Sequence, residues 1–427
     1  MARTFQFVKK RYSEKAYLVG IQPRLADRFV VEDSLDELSQ LADSAGASIV
    51  GSDIVKIDRP HPSFYIGKGK AQELSLSCLR ARANVVIFDD DLAPAQVKSL
   101  EDIIGVKVVD RTELILDIFA QRAQTREGKL QIEMAQLSYL FPRLTGRWTH
   151  LSRQEGGIGT RGPGETQLEV DRRRVRERLG RLRDELAEVI KQRAQQRKRR
   201  VRSETPVLAI VGYTNAGKST LMNALTGTRV YVADKLFATL DPTTRKYTLP
   251  SGKQFYLSDT VGFIKKLPHH LVDSFKATLE EVVEADILLM VIDVSHEKAY
   301  EQKQAVDTVL REIGVSGKPV IHVLNKIDCI GNRSAVDRFT RDYPESVAIS
   351  ALTGEGTAGL LRKIEQRLPR PERQTTLLIP DRAAGLISLI FQHARVVETR
   401  RDGGKTLFIA VFREKIPPPL RRYVRKK

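Results

Sequence analysis

The apolar run Val207 to Val211 leads directly into Gly212-Tyr213-Thr214-Asn215-Ala216-Gly217-Lys218-Ser219, and a helical pattern follows from Lys218 to Leu225. The order strand, G-x-x-x-x-G-K-S, helix leaves few folds open, because a buried strand must deliver the glycine loop to a helix N-terminus. Backbone N–H groups from Tyr213 to Lys218 are expected to cradle phosphates there. Lys218 is expected to reach the β and γ oxygens, and the Ser219 hydroxyl to ligate Mg²⁺. The fold expected for this part is α/β, a mostly parallel sheet with helices on both faces.

Later motifs narrow the nucleotide. Asp259-Thr260-Val261-Gly262 ends a predicted strand, Phe255 to Ser258. Asp259 is expected to hold the magnesium shell through water, and Gly262 to offer its backbone N–H to a γ-phosphate. Loss of that phosphate would release the segment, which is the behaviour of a switch. Phe237-Ala238-Thr239-Leu240-Asp241 is expected to be the first switch, with Thr239 as the second magnesium hydroxyl and Thr243 or Thr244 as alternatives. Asn325-Lys326-Ile327-Asp328 follows a predicted strand, Val320 to Leu324. An aspartate carboxylate accepts hydrogen bonds from guanine N1–H and the exocyclic N2 group, which adenine does not offer in that arrangement. Asn325 is expected to brace the loop, Lys326 to lie along the base, and Ser350-Ala351-Leu352 to supply backbone N–H to guanine O6. The ordered set reads as a site for GTP and GDP.

A chain of 427 residues has room for two to four domains. Two cysteines, Cys78 and Cys329, are too few for a disulfide framework or a zinc site. The longest apolar run, Ile287 to Val294, is too short to span a bilayer, and no apolar signal-peptide core begins the chain. A cytoplasmic protein without a membrane span is expected. The net charge of +18 is uneven: residues 121–204 hold 21 Lys and Arg against 11 Asp and Glu, and residues 373–427 hold 13 against 4. Two basic segments therefore flank the nucleotide region, which points to a polyanion partner, nucleic acid or a nucleoprotein.

The pattern sets four expected domains. Residues 1–111 read as a small α/β domain with strands at Lys15–Ile21, Ile49–Val50, Ile54–Ile57, Val85–Phe88 and Val106–Val109. Within it, Tyr65-Ile-Gly67-Lys-Gly69-Lys70 precedes a helix beginning near Ala71 and could be a phosphate turn or an ordinary tight turn. Asp89-Asp90-Asp91 could hold a metal or could be a solvated start to a helix. Residues 112–202 read as a helical hairpin, with seams at Leu130, Met134, Leu137, Phe141 and at Val175, Leu179, Leu182, Leu186, Val189. Its second helix is expected from Gln167 to Arg200. The tip, Gly156 to Thr166, is too rich in glycine for a helix, and Trp148, Arg153 and Arg161 stand near it. It is either a contact loop or a flexible connection. Residues 203–369 form the nucleotide domain. Residues 370–427 form a small basic α+β domain with strands at Leu377–Ile379 and Lys405–Phe412, a helix at Ala383–His393 and an extended tail from Pro417.

With these residues in hand, the chain resembles the HflX family of translational GTPases, a branch of the Obg/HflX group. Gly156-Gly157-Ile-Gly159-Thr-Arg161-Gly162-Pro-Gly164-Glu-Thr-Gln-Leu-Glu169 is similar to its N-terminal signature, and Phe237 to Arg245 to its first switch. Tyr65 to Lys70 is similar to a third family stretch. The resemblance implies a GTPase that binds the large (50S) ribosomal subunit and splits stalled or idle 70S ribosomes, especially under stress. It implies that the hairpin tip, with Arg153, Gly156, Gly157, Gly159, Arg161, Gly162 and Gly164, contacts ribosomal RNA. A monomer is expected. Phe263 follows Gly262 where Ras-like proteins carry the glutamine that orients water, and the resemblance implies an apolar residue here. Slow intrinsic hydrolysis is therefore expected, with the ribosome ordering the switches. Asn215 fits the G-x-x-N-x-G-K-S variant of potassium-stimulated GTPases, so the catalytic set is expected to be Lys218, Asn215 and Gly262, with K⁺ beside Mg²⁺. Two other roles remain open: a GTPase of tRNA modification or subunit assembly, and a nucleotide-sensing RNA-binding protein with incidental hydrolysis.

Overall fold

The computed structural model describes residues 14–25, 27–143, 163–201, 205–227, 235–266, 276–315, 317–332, 334–368, 374–412 and 416–425. The chain forms two compact units, Met1–Arg367 and Leu368–Lys427.

The first unit opens with β1 (Lys15–Pro23), α1 (Arg28–Ala45), β2 (Ser48–Ile57), α2 (Lys68–Ala81), β3 (Val85–Phe88), α3 (Pro94–Ile104) and β4 (Lys107–Asp110). The four strands are parallel in the order β2-β1-β3-β4. Helix α1 starts on an Asp27 carboxylate that accepts the Phe29 N–H, and it ends at Gly46 with φ 92°. These are the side-chain cap and left-handed cap that satisfy the unpaired ends of a helix. Leu35, Leu38 and Leu41 are buried on its inner face, as their spacing predicts. The two short strands expected near Ile49 and Ile54 are one strand, β2, whose pairing with β1 shifts register between Ile49 and Gly51, where Gly51 leaves room for the Tyr17 ring.

Helices α4 (Arg111–Arg122) and α5 (Arg126–Leu140) follow, and then α6 (Pro163–Val201). Helix α6 has 39 residues and is about 58 Å long at ~1.5 Å per residue. It begins earlier than expected. Pro163 has its φ preset for the first turn of a helix, so Gly164 to Thr166 are helical rather than part of a loop. The seam on α6 is present: Leu182 is fully buried, and Val175, Leu179, Leu186 and Val189 are half-buried. Its partner is α5, where Glu133 takes both arms of Arg178 at 2.8 and 2.9 Å. Helix α5 packs on two sides: the expected seam residue Leu130 is buried together with Gln131, Ile132, Ala135 and Tyr139, while Met134, Leu137 and, just past the helix end, Phe141 are half-buried. Trp148 and the expected contact residues Arg153, Gly156, Gly157, Gly159, Arg161 and Gly162 lie outside the described residues.

The nucleotide region contributes β5 (Val207–Gly212), α7 (Lys218–Thr226), β6 (Thr243–Thr248), β7 (Gln254–Asp259), α8 (Lys276–Glu284), β8 (Ile287–Asp293), α9 (Ala299–Glu312), β9 (Val320–Asn325), α10 (Ser334–Asp342), β10 (Val347–Ala348) and α11 (Thr357–Arg367). The six strands lie in the order β10-β9-β8-β5-β7-β6. All pairs are parallel except β6 with β7 at the edge. All seven residues of β8 are buried, as expected for a central parallel strand covered on both faces. One apolar cluster runs through both sheets of this unit. It includes Ile115 and Phe119 of α4 together with Leu236, Phe237, Leu240 and Phe263.

The second unit has β11 (Gln374–Pro380), α12 (Ile387–His393), β12 (Ala394–Asp402), β13 (Lys405–Phe412) and α13 (Pro418–Arg421). Its antiparallel sheet has the order β11-β13-β12. The expected helix Ala383–His393 is a 3-10 segment, Asp381–Leu386, followed by the shorter α12. Strand β12 was not foreseen, because Arg400 and Arg401 hide its apolar alternation. The expected extended tail is folded back instead. Leu420 is fully buried, and Arg425 donates its amide to Thr376 O at 2.8 Å. Leu420, Tyr423 and Val424 join the small core, and apolar burial of that kind outweighs the repulsion of the flanking arginines.

Candidate functional site

Strand β5 ends at Gly212, whose φ of 155° lies in the range open to glycine, and a side chain here would strike Val291 O. The loop then turns through Asn215 at φ 59° and Gly217 at φ 90°, and α7 starts at Lys218. At Gly217 a Cβ would collide with the Asn325 amide, so this glycine lets the guanine-side loop come against the phosphate loop. Lys218 is buried and donates to Tyr213 O at 2.6 Å and Gly212 O at 3.2 Å. Burial brings its pKa down to about 8, with the Asp259 charge opposing that shift.

Three oxygens meet beside it. Ser219 Oγ lies 2.8 Å from Thr239 Oγ1, and both hydroxyls donate to Asp259 Oδ2, at 2.7 and 3.1 Å. Asp259 is fully buried, which raises its pKa against the hydrogen bonds from Ser219 and Thr239 and the charge of Lys218. Its other oxygen, Oδ1, has no partner among the described residues. A buried carboxylate with one oxygen on two hydroxyls and the other unpaired is a donor set that fits a hydrated divalent cation. Of the three candidate threonines, Thr239 is the one in this cluster; Thr244 faces Ser258 and Glu281 instead.

Gly262 sits against the loop so closely that a Cβ would be 2.8 Å from Thr214 Cγ2 and 2.9 Å from Lys218 Nζ. Phe263 continues this pairing: it donates to Gly212 O at 3.1 Å and accepts from Thr214 N at 2.7 Å. The Phe263 ring is 2% exposed and belongs to the apolar cluster, so it cannot orient water. Thr260 donates to Ile210 O, and Val261 is buried beneath. The pocket formed by these pieces is lined by Thr214, Asn215, Lys218, Ser219, Thr239 and Gly262, with Phe237 and Ala238 at its side.

On the base side Asn325 donates to Ala216 O at 2.8 Å and accepts from Ala351 N at 2.9 Å. One side chain thus ties the phosphate loop to Ser350–Leu352. Lys326 stands at φ 65° with its ammonium 2.6 Å from Asp293. Asp328 is exposed just before Cys329, and a hydrogen bond from the Ser350 hydroxyl holds its carboxyl below the usual range. Ile327 lies between them in a short 3-10 turn. The amides of Ser350 and Ala351 are engaged by Glu355 O and Asn325 Oδ1, and the Leu352 side chain stands out at 78% exposure.

Both segments expected to be switches rest on the N-terminal part of the unit, which no local motif announces. Leu236 N donates to Ser44 Oγ at 3.0 Å, and Phe237 meets Phe119 edge to face at 4.7 Å between centroids. The Asp241 carboxylate, expected beside the nucleotide, instead accepts from Gln124 N and Thr125 N at 2.8 and 2.9 Å and from the Thr125 hydroxyl. The free N–H groups that open a helix attract a carboxylate more strongly than open solvent does. On the other side Lys266, at φ 56°, pairs with Asp89 at 2.5 Å and Asp90 at 2.8 Å. Burial opposes its charge, but these carboxylates more than offset that and raise its pKa. Asp89 also holds the buried Arg111 at 2.6 Å, and Asp91 accepts from Thr112. The acidic run is divided: Asp89 is buried between Arg111 and Lys266, Asp90 is half-buried against Lys266, and Asp91 is exposed to solvent while accepting from Thr112.

Family models match residues 32–120 (GTP-binding GTPase N-terminal), 122–200 (GTP-binding GTPase Middle Region), 207–326 (50S ribosome-binding GTPase) and 336–411 (HflX C-terminal domain). The GTPase HflX of Caldanaerobacter subterraneus subsp. tengcongensis is 48% identical over 92% of this chain and 89% of its own. That of Escherichia coli K12 is 46% identical over 88% of this chain and 89% of its own. A crystal structure of a GTP-binding protein from Sulfolobus solfataricus in complex with GDP is 27% identical, with a TM-score of 0.44, covering 83% of this chain and 98% of that one. GTP and GDP are thus ligands of the protein, Mg²⁺ is the metal that generally accompanies them, and the reaction is hydrolysis of GTP. The phosphate loop, the matched models and this level of identity across most of the chain together place the protein in the HflX family of GTPases.

Proposed function

We propose that the protein binds the 50S ribosomal subunit and dissociates stalled or idle 70S ribosomes under stress, with GTP hydrolysis regulating its release. The observation that carries this reading is α6. It is a 39-residue helix whose Arg173, Arg174, Arg176, Arg181 and Arg183 are all exposed. A cationic arm of that length suits a groove in folded RNA, where phosphate contacts supply affinity and salt weakens it. The family model that matches residues 207–326 carries a ribosomal name and points the same way.

In this reading Lys218 binds the β and γ oxygens and the Tyr213–Lys218 amides hold the phosphates. Ser219 and Thr239 would hold Mg²⁺ directly, and Asp259 would hold it through water. The metal supplies charge neutralisation at the oxygens that become negative as the γ-phosphoryl group leaves. Gly262 offers its N–H to the γ-phosphate. Asn215, exposed at the turn of the loop, is the residue placed to recruit K⁺ beside the phosphates. Asp328 accepts from the base while Asn325 and Lys326 hold its loop. With Phe263 buried, the group that orients water comes from the bound partner, so the ribosome completes the site.

Sedimentation of 70S ribosomes with the protein and a non-hydrolysable GTP analogue tests the reading. Conversion of the 70S peak to 30S and 50S, with the protein on 50S, is the expected result. An unchanged 70S peak with the protein left at the top of the gradient contradicts it. The buried Phe263 also favours a second reading, a nucleotide-sensing RNA binder in which hydrolysis is incidental. Equal RNA binding with GDP and with the analogue would favour that alternative.

A further inference from the structure

We propose that the N-terminus of α5 is a receptor for the first switch, and that Thr125, Gly128 and Asp241 are positioning residues for Thr239. The proposal rests on the reading of Thr239 as a magnesium ligand given above. The Asp241 carboxylate sits on two free amides and a hydroxyl at the start of α5, Gln124 N, Thr125 N and Thr125 Oγ1. The fit leaves no spare room: a Cβ at Gly128 would lie 2.6 Å from Asp241 Oδ1. Two residues before Thr239, Phe237 is fixed against Phe119 of α4. Two residues after it, Asp241 is fixed to α5. Thr239 is therefore held between two anchors that both lie outside the nucleotide sheet, and its hydroxyl falls 2.8 Å from Ser219 Oγ.

That arrangement is the one a metal-bound triphosphate requires, so the contact stabilises the GTP-competent form of the switch. Helix α5 is also the helix that grips the long arm, through Glu133 and Arg178. One rigid element of 15 residues thus joins the arm to Thr239. Because coupling between sites is reciprocal, whatever binds the arm alters the preference for GTP over GDP, and nucleotide alters the arm.

Gly128→Ala tests this without touching the nucleotide domain. Alanine favours a helix interior over glycine, so α5 should remain folded while Asp241 is pushed off its seat. Fluorescent GDP and a fluorescent non-hydrolysable GTP analogue are titrated into the full chain with Mg²⁺ present, for wild type, Gly128→Ala, Asp241→Ala and Thr239→Ala. The expected result is a loss of about tenfold in analogue affinity for Gly128→Ala and Asp241→Ala, with GDP affinity held within about twofold, within the usual range of coupling between sites. If Thr239→Ala weakens the analogue selectively but Gly128→Ala changes neither nucleotide, or weakens both equally, the positioning role is overturned and the magnesium reading stands. If Thr239→Ala has no selective effect, the magnesium reading fails and takes this proposal with it.

Discussion

The Tyr213 hydroxyl donates to Glu37 of α1 and at the same time accepts the Lys265 amide at 2.8 Å, so one phosphate-loop side chain ties the N-terminal helix α1 to the segment after Gly262. Burial first, and then the Glu37 charge, push the Tyr213 pKa upward, which keeps the hydroxyl protonated as a donor at any working pH. Tyr213→Phe leaves the ring in place and removes both bonds. Leaving a partly buried carboxylate and an amide without that partner costs about 1–3 kcal/mol. Thermal unfolding of this variant should show a loss of that size, while GDP affinity changes by less than about threefold, since the hydroxyl faces away from the pocket. A large loss of GDP affinity would mean that the hydroxyl serves the nucleotide.

Ser219→Ala removes one of the two hydroxyls that converge on Asp259. A site that loses one of two protein oxygens binds its cation less tightly, so the Mg²⁺ concentration for half-maximal GTP turnover should rise about tenfold or more. A magnesium titration of turnover checks this; an unchanged midpoint would remove Ser219 from the metal site.

Lys218 has a pKa near 8 before nucleotide binds. Phosphate favours its charged form, so binding above that pH must take up a proton. Affinity for GDP is expected to be level below about pH 8 and to fall above it, by at most about tenfold per pH unit. The sign for folding is separate. The folded pKa lies below the ordinary value of 10.5, so burying the charge weakens the nucleotide-free fold below about pH 8, and that cost lessens as pH rises from about 8 to 10.5. Calorimetry at pH 9 in two buffers of different ionisation enthalpy should report the proton uptake. Its absence would contradict the assignment of Lys218 as the phosphate ligand.

Asp328→Asn replaces two acceptor oxygens with one acceptor and one donor. Guanine then loses a hydrogen bond to N1–H or N2, whereas xanthine, with a carbonyl at C2, gains one. GTP turnover at low substrate should fall about a hundredfold and XTP turnover should rise. Competition between the two nucleotides measures the exchange, and unaltered preference would place the base elsewhere.

The parts legible in sequence were those whose geometry is local. Gly212 to Ser219 must bend and start a helix whatever else the chain does, and the periodicity of α1 and α6 foretold their inner faces. The contacts between the N-terminal part and the switches were not legible. Asp241 meets Thr125 across 116 positions, and Lys266 meets Asp89 across 177. Nothing in one sequence distinguishes a carboxylate that binds a lysine far along the chain from one that binds a metal, which is why Asp89 to Asp91 stayed ambiguous. The tail was misjudged for a related reason: charge density around Arg421 and Arg422 masked three residues, Leu420, Tyr423 and Val424, that complete a small core.

The most direct test of the ribosomal account is GTP turnover measured with and without purified 50S subunits at fixed KCl and Mg²⁺. Phe263 is buried where Ras-like proteins carry the water-orienting glutamine, so the account predicts slow turnover alone and a large stimulation, on the order of a hundredfold or more, when 50S is added. Turnover that stays the same while the protein is demonstrably bound to 50S would contradict it.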